Sequence, residues 1–288
     1  MTAVFSFEVF PPRTPEGELR LWDTLERLTP LEPRFVSVTC GAGGSATDAT
    51  LGAMRAIAER TSLPVAGHLT CVGRSREETD AHIAHYWNAG VRHMVALRGD
   101  APGDSGRFEP HPDGYRNPVE LVSAIRRQGP FEISVAAYPE PHPSSVSMVH
   151  DLAVLARKAD AGASRAITQF CLDTSLIVSL RERIAGAGIT LKVVPGILLA
   201  TDYAAVARMA TRCGASLPSW LGERFSGLDD DPQTCKLVGA IVAAEQVDRL
   251  RREGFEDFHF YTLNQGDLAP AVCRLLGARQ VPEQADAA

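Results

Sequence analysis

Short apolar runs rich in β-branched residues return eight times along this chain, most of them about 30 residues apart, the length of one strand–helix unit. The predicted strands are Val4–Phe10, Phe35–Cys40, Pro64–Leu69, His93–Leu97, Glu132–Ala137, Arg165–Gln169, Thr190–Pro195 and Asp257–Tyr261. Near-continuous apolar runs such as Val91–Leu97, with His93 the exception, imply burial on both faces, which a parallel sheet requires. Helical signals fill the gaps. Ser75-Arg76-Glu77-Glu78 has capping-box spacing and that helix ends at Gly90, while Asp231-Pro232 reads as N-cap and first helical residue of a segment closed by Gly254. Between the seventh and eighth strands the spacing lengthens, with helical patterns at Asp202–Cys213, Pro218–Phe225 and Pro232–Glu253, so an extra helix is inserted there. The reading is a single α/β domain, a (β/α)8 TIM barrel over residues 1–280, with an open doubly wound sheet as the weaker alternative. Residues 281–288 lack apolar periodicity and are expected to fray.

A chain of 288 residues can bury a full core without metals or disulfides. With 45% hydrophobic and 22% charged residues it is not disordered, collagenous or coiled-coil in type. A net charge of −6 without a basic block argues against nucleic acid as a partner. No run approaches the ~18 apolar residues of a membrane span, and the start, Met1-Thr2-Ala3-Val4, lacks the basic segment of a signal peptide. The six cysteines are scattered without a C-x-x-C pair and read as reduced thiols. A cytoplasmic protein is the expectation.

In such a barrel, chemistry sits at the C-terminal ends of the strands. There the sequence places Glu8, Thr39-Cys40, His68, Arg98-Gly99-Asp100, Tyr138 to His142, Gln169 and Tyr261 to Gln265. Glu8, set among Phe5, Phe7, Val9 and Phe10, is expected to have its pKa raised by burial toward a value useful for proton transfer. Its plainer reading is a buried ion pair with Arg98. His68 is equally a core histidine or a ligand contact, and His142 between prolines could simply fix a loop. Gly41-Ala42-Gly43-Gly44-Ser45-Ala46 fits G-x-G-x-x-A, but the surrounding units argue against a Rossmann site. Asp229-Asp230-Asp231 reads as a helix start and solvated loop rather than a cation site.

Eight motifs in order carry a resemblance. Ser6-Phe7-Glu8-Val9-Phe10-Pro11-Pro12-Arg13, Val36-Ser37-Val38-Thr39, His68-Leu69-Thr70-Cys71, Ala96-Leu97-Arg98-Gly99-Asp100, Ala136-Ala137-Tyr138-Pro139-Glu140, Ala166-Ile167-Thr168-Gln169-Phe170, Gly227-Leu228-Asp229-Asp230-Asp231 and Asp257-Phe258-His259-Phe260-Tyr261-Thr262-Leu263-Asn264 resemble the bacterial 5,10-methylenetetrahydrofolate reductase family. The resemblance runs from Phe5 to about Arg279. It implies an FAD-containing barrel working by ping-pong, with NADH (or NADPH) reducing the flavin and folate then accepting the hydride. Folate must first open to an iminium ion, which needs a proton on a pterin-ring nitrogen and so an acid beside the pterin. By the resemblance Glu8 is the proton donor, Asp100 the carboxylate beside flavin and pterin, and Gln169 an amide touching nicotinamide and folate. Flavin contacts fall at Thr39, Cys40, Ala42, His68, Arg98, Gly99, Asp100, Tyr138, His142, Asp151, Arg157 and Lys158, and more loosely at Tyr115 and Arg116. Arg98, Arg157 and Lys158 would neutralise the diphosphate. Folate contacts fall at Glu8, Thr39, Asp100, Gln169 and Gln265.

The chain departs from the family pattern at Gln265, where an arginine is usual, at Ala205 in place of a glutamine, at Met209 in place of an aromatic, and at Val154 in place of a polar adenine contact. The resemblance also implies a homo-oligomer, dimer or tetramer, without the regulatory domain of longer eukaryotic relatives. Two competing readings remain: a flavin-independent, NADH-dependent reductase of the same substrate, and a non-catalytic flavin- or pterin-binding barrel.

Overall fold

The computed structural model describes residues 3–40, 47–99, 108–142 and 144–277. Ala42, Asp100 and the tail expected to fray lie outside the described residues. The strands are β1 (Val4–Val9), β2 (Val36–Val38), β3 (Val65–Thr70), β4 (His93–Leu97), β5 (Glu132–Ala137), β6 (Arg165–Thr168), β7 (Lys192–Val194), β8 (Gly196–Leu198) and β9 (Asp257–Tyr261). The helices are α1 (Pro15–Leu28), α2 (Thr47–Arg60), α3 (Arg76–Asn88), α4 (Pro118–Gln128), α5 (Met148–Asp160), α6 (Thr174–Gly186), α7 (Tyr203–Cys213), α8 (Ser219–Phe225), α9 (Pro232–Arg252) and α10 (Leu268–Leu275).

The strands form one parallel sheet in the order β7-β6-β5-β4-β3-β2-β1-β9-β8. Its two edge strands are halves of one barrel strand, Lys192–Leu198, parted by Pro195, which has no N–H to give a ladder. The first half pairs with β6 and the second with β9, so the ring closes through a change of partner. Side chains carry the joint: Gly196 N donates to Thr168 Oγ1 at 2.9 Å and Tyr261 Oη donates to the Thr168 carbonyl at 2.7 Å. Position 196 must be glycine, because a Cβ there would lie 2.2 Å from the Thr168 carbonyl oxygen. The predicted (β/α)8 barrel is therefore present, its seventh strand broken at the proline.

Period-2 alternation sorts each strand. Phe5, Phe7 and Val9 of β1 and Phe258 and Phe260 of β9 turn outward into the main core beneath the helices. Ser6, Glu8, His259 and Tyr261 turn into the lumen, where Phe35, Ala66, Ile167 and Val194 supply a small apolar layer. The helix ends follow their signals: Ser75 and Glu78 form the reciprocal capping box, and Asp231 caps Thr234 N ahead of Pro232. The insertion between the seventh and last barrel strands comprises α7 and the short α8, which build their own core of Val206, Ala210, Leu221 and Phe225 against Phe170 and Leu198. Among the described residues no helix is long and apolar enough to cross a membrane.

Candidate active site

Two cavities open at the C-terminal ends of the strands and share the wall formed by Cys40, Leu97, Ala136 and Tyr138. The first, about 430 Å³, collects Arg98 and Gly99 from the end of β4, Tyr138 and His142 from the loop after β5, and Asp151, Arg157 and Lys158 from α5. The second, about 790 Å³, collects Glu8, Thr39, His68 and Gln169 with His259 and Tyr261. Gln265 lies apart from both, in a third cavity beyond Leu263. Tyr115 lines neither; it is buried and donates to Asp80 Oδ1 at 2.8 Å. Thus most of the sequence-predicted residues within the described chain line the two adjoining cavities, while Gln265, Tyr115 and Arg116 do not.

In the first cavity the cations are positioned by helix geometry. Arg157 and Lys158 belong to the last turn of α5, and Lys158 reaches inward to donate to the Ala136 carbonyl at 3.1 Å. Burial without a paired carboxylate pushes its ammonium down to about 8, despite the opposing pull of Asp151. Asp151 accepts from Ser145 Oγ at 2.6 Å through Oδ1, while its Oδ2 is buried with no hydrogen-bond partner among the described residues. His142 fixes its loop, accepting from Ser144 N at 2.9 Å through Nδ1, and its ring stands edge-on to Tyr138 at 4.6 Å. Gly99 takes φ +88°, and a Cβ there would meet Val72 Cγ1 at 2.6 Å, so the turn that aims Arg98 requires glycine.

In the second cavity Glu8 is the one carboxylate lining it among the described residues. Its side chain is 16% exposed and its Oε2 stands 3.5 Å from His68 Nε2 and 3.8 Å from His259 Nε2. Among the described residues its ion-pair partners are thus imidazoles, and the pairing with Arg98 weighed from sequence is not formed; Arg98 stacks over Phe108 instead, 5.2 Å from the ring centre. The expected rise in the Glu8 pKa is overturned. Burial pushes it up, but the hydrogen-bonding and charge contributions of His259 and His68 outweigh burial and hold it below the usual carboxylate range. His68 is itself held below its ordinary value, chiefly by burial, with Glu8 pulling the other way. Behind His259, Ser6 Oγ lies 2.8 Å from Nδ1 and 3.3 Å from the Phe258 carbonyl. A serine proton given to Phe258 leaves Oγ to accept from Nδ1–H and turns a bare Nε2 toward Glu8; a proton given to Nδ1 turns Nε2–H toward it.

His259 and Ser6 were not singled out from sequence, although alternation in Asp257-Phe258-His259-Phe260-Tyr261 marks the polar members as inward-facing. Gln169 Oε1 accepts from Phe170 N at 3.0 Å, which orients the amide at the cavity wall. Asn264, at φ +54°, grips the backbone of Phe10 at both groups: Phe10 N donates to its Oδ1 at 2.8 Å and its Nδ2 donates to the Phe10 carbonyl at 3.0 Å. No cluster of metal-ligating side chains occurs among the described residues.

Among solved structures, one similar fold is an uncharacterized protein from Clostridium thermocellum that binds two copies of 5-methyl-5,6,7,8-tetrahydrofolic acid, with a TM-score of 0.60 over 96% of this chain and 94% of that one. At 10% identity this likeness bears on the fold alone. In sequence, the chain is 47% identical over 274 residues to the 5,10-methylenetetrahydrofolate reductase of Pectobacterium carotovorum subsp. carotovorum, covering 95% of this chain and 90% of that protein. The 5,10-methylenetetrahydrofolate reductase of Escherichia coli (strain K12) is 46% identical over the same shares. A probable methylenetetrahydrofolate reductase (NADH) of Oryza sativa subsp. japonica is 32% identical over 95% of this chain and 48% of its own length. Residues 1–277 match the methylenetetrahydrofolate reductase family, and the chain belongs to it.

Proposed function

We propose that the protein reduces 5,10-methylenetetrahydrofolate to 5-methyltetrahydrofolate in two successive half-reactions, with NAD(P)H as reductant and FAD as resident cofactor. The observation that carries the folate half is Glu8, the carboxylate that lines the larger cavity among the described residues, backed by two imidazoles and a serine.

The first cavity fits a dinucleotide. Asp151 Oδ2 lacks a partner, as a ribose or adenine donor would supply, and buried Lys158 spends one hydrogen bond on a carbonyl while Arg98 and Arg157 line the same volume. A diphosphate is the anion that three such cations would hold. Bound there, FAD would accept a hydride from NAD(P)H and return it to the folate. The shared wall at Cys40, Leu97, Ala136 and Tyr138 lets one long ligand reach from the cationic cavity into the Glu8 cavity. Asp100, outside the described residues, keeps the role that the resemblance implies: a negative charge that lowers the flavin potential and stabilises the iminium cation.

The chain's own part in folate reduction is to deliver a proton. Glu8 would protonate a nitrogen of the folate's five-membered ring; the C–N bond breaks toward that nitrogen, and the remaining iminium carbon accepts the hydride. In the ligand-free protein Glu8 is held below the usual carboxylate range, so binding must raise its proton affinity. Ligands filling the cavity exclude water from its exposed edge, strengthen the desolvation that already pushes its pKa up, and leave the proton on the carboxyl. Gln169 would orient the ring system, and Thr39 lines the same cavity from the end of the neighbouring strand β2.

The test separates the half-reactions. Glu8→Gln is expected to leave reduction of menadione by NAD(P)H nearly intact while folate turnover falls by ~10²-fold or more, the usual size of a general-acid contribution. Equal losses in both would refute the role. An absorbance spectrum of the purified protein without flavin bands, together with activity that needs no added FAD, would favour direct transfer from nicotinamide to folate.

A further inference from the structure

Among the described residues three arginines line the Glu8 cavity, and two of them, Arg208 and Arg212, share the helix α7. That helix is graded around its axis. Val206 and Ala210 are buried in the small core of the insertion. Beside them Ala205, Met209 and Cys213, each four residues after the last, form a half-buried, largely apolar stripe that lines the cavity. Arg208 and Arg212 follow on the solvent side of the stripe, one turn apart and exposed, and border the same volume. Neither guanidinium has a carboxylate partner among the described residues, and Glu8, the one carboxylate of the lining, is engaged by His68 and His259. Like charges four residues apart on a helix repel each other. The cavity is thus edged by an unneutralised pair of cations next to an apolar shelf, a layout that suits a ligand with a ring on the shelf and a doubly negative group at its rim.

We propose that Arg208 and Arg212 clamp the 2′-phosphate of NADPH and so make NADPH the preferred reductant over NADH. The inference rests on the proposed function and names which coenzyme its first half-reaction takes. Two features favour this phosphate over the diphosphate that both coenzymes carry. A phosphate monoester bears about two negative charges at neutral pH, against about one on each phosphoryl group of a diphosphate, and so matches a pair of forked guanidinium groups. The arginines also stand at the exposed edge of the cavity, where the adenosine end of a coenzyme lies once its nicotinamide has entered to meet the flavin. The same helix explains why charge is needed. Ala205 and Met209 occupy its stripe in place of a glutamine and an aromatic ring, so a coenzyme that loses ring contacts on α7 is retained by the cations one position further round.

Reduction of menadione by the flavin-loaded protein compares the two coenzymes without folate. In the unaltered protein kcat/KM for NADPH is expected to exceed that for NADH by about tenfold or more, the worth of one charge-assisted contact. Arg208→Gln and Arg212→Gln are each expected to lower that ratio, and the double variant to bring it close to one. Each ratio is read within a single protein, so any general loss of activity cancels. Calorimetric titration with adenosine 2′,5′-bisphosphate, which carries the phosphate but no nicotinamide, gives a readout free of turnover: its affinity should fall by about tenfold in each single variant. A ratio of one or below in the unaltered protein overturns the clamp. So do equal losses for NADPH and NADH in the α7 variants, which would place the diphosphate there. A ratio that collapses in Arg13→Gln, the third arginine of the cavity, but survives in the α7 variants also overturns it. So does a bisphosphate affinity that none of the α7 variants alters. Oxidation of neither coenzyme by the unaltered protein would instead overturn the proposed function.

Discussion

Glu8 illustrates how one side chain's chemistry is set by residues remote in sequence. Its position among phenylalanines marks it as buried, and burial alone argues for a raised pKa; that inference fails because His68 and His259 arrive from other strands to stabilise the charge. A consequence follows for pH dependence. On the proposed function the folate half-reaction needs the proton on Glu8, so its kcat/KM is expected to fall as pH rises on the basic side. The menadione half-reaction, which needs no such proton, should lack that limb; identical profiles would remove Glu8 from the acid role. Ser6→Ala tests the support behind it. Loss of the Oγ contact at 2.8 Å frees the tautomer of His259, and the folate profile should shift along the pH axis while menadione reduction keeps its own. An unshifted folate profile would leave Ser6 a packing residue.

At the scale of elements, what was legible in the chain is what obeys a period. Strand and helix spacing, the Ser75–Glu78 box and the Asp231-Pro232 start are local signals, and each element forms where its signal lies. The joint at Pro195 was only half legible: the strand was read as ending at the proline, whereas the chain resumes pairing at Gly196 with a different neighbour. The choice of histidine rather than Arg98 as partner to Glu8 was not legible, because it depends on which strands the closed ring brings together. Nor was the separate cavity of Gln265, which follows from Asn264 binding back to Phe10. Asn264→Ala removes both of those hydrogen bonds and places a β-carbon residue at φ +54° without a side-chain partner. A loss of about 1–3 kcal/mol in unfolding free energy is expected, with weaker folate binding beyond it. Chemical denaturation checks the first and titration with 5-methyltetrahydrofolate the second.

Across the whole molecule, burial governs both reactivity and acid stability. Cys71 and Cys171 are pushed up to about 12 by desolvation, and Cys273 and Cys235 are raised as well. At about pH 8 a thiol-reactive chromogenic disulfide should therefore modify Cys40 and Cys213, the two half-buried thiols, and reach the others only on unfolding. Rapid reaction of more than two groups in the native protein would contradict the packing. His68 and His93 are both held below their ordinary values, mainly by burial. The unfolded chain therefore binds more protons below about pH 6.5, and stability is lost as pH falls through that value toward the folded ones; Glu8, also depressed, adds to the loss at lower pH. The midpoint of thermal unfolding should be lower at about pH 5.5 than at about pH 7.5, and an equal or higher midpoint in acid would sink this assignment.

Where the ring of strands changes neighbours, the ladder hands its duty to a phenol and a threonine hydroxyl. Tyr261 both staples that seam and lines the Glu8 cavity. Trimming its oxygen in Tyr261→Phe would loosen the hoop at the place where the pterin is expected to sit, so backbone amides of Lys192–Val194 and Gly196–Leu198 should exchange with deuterated solvent sooner than those of β3 or β4. The architecture thus ties the seam where the ring changes neighbours to the cavity's occupancy: a ligand pressed against that phenol would also lock the cylinder shut.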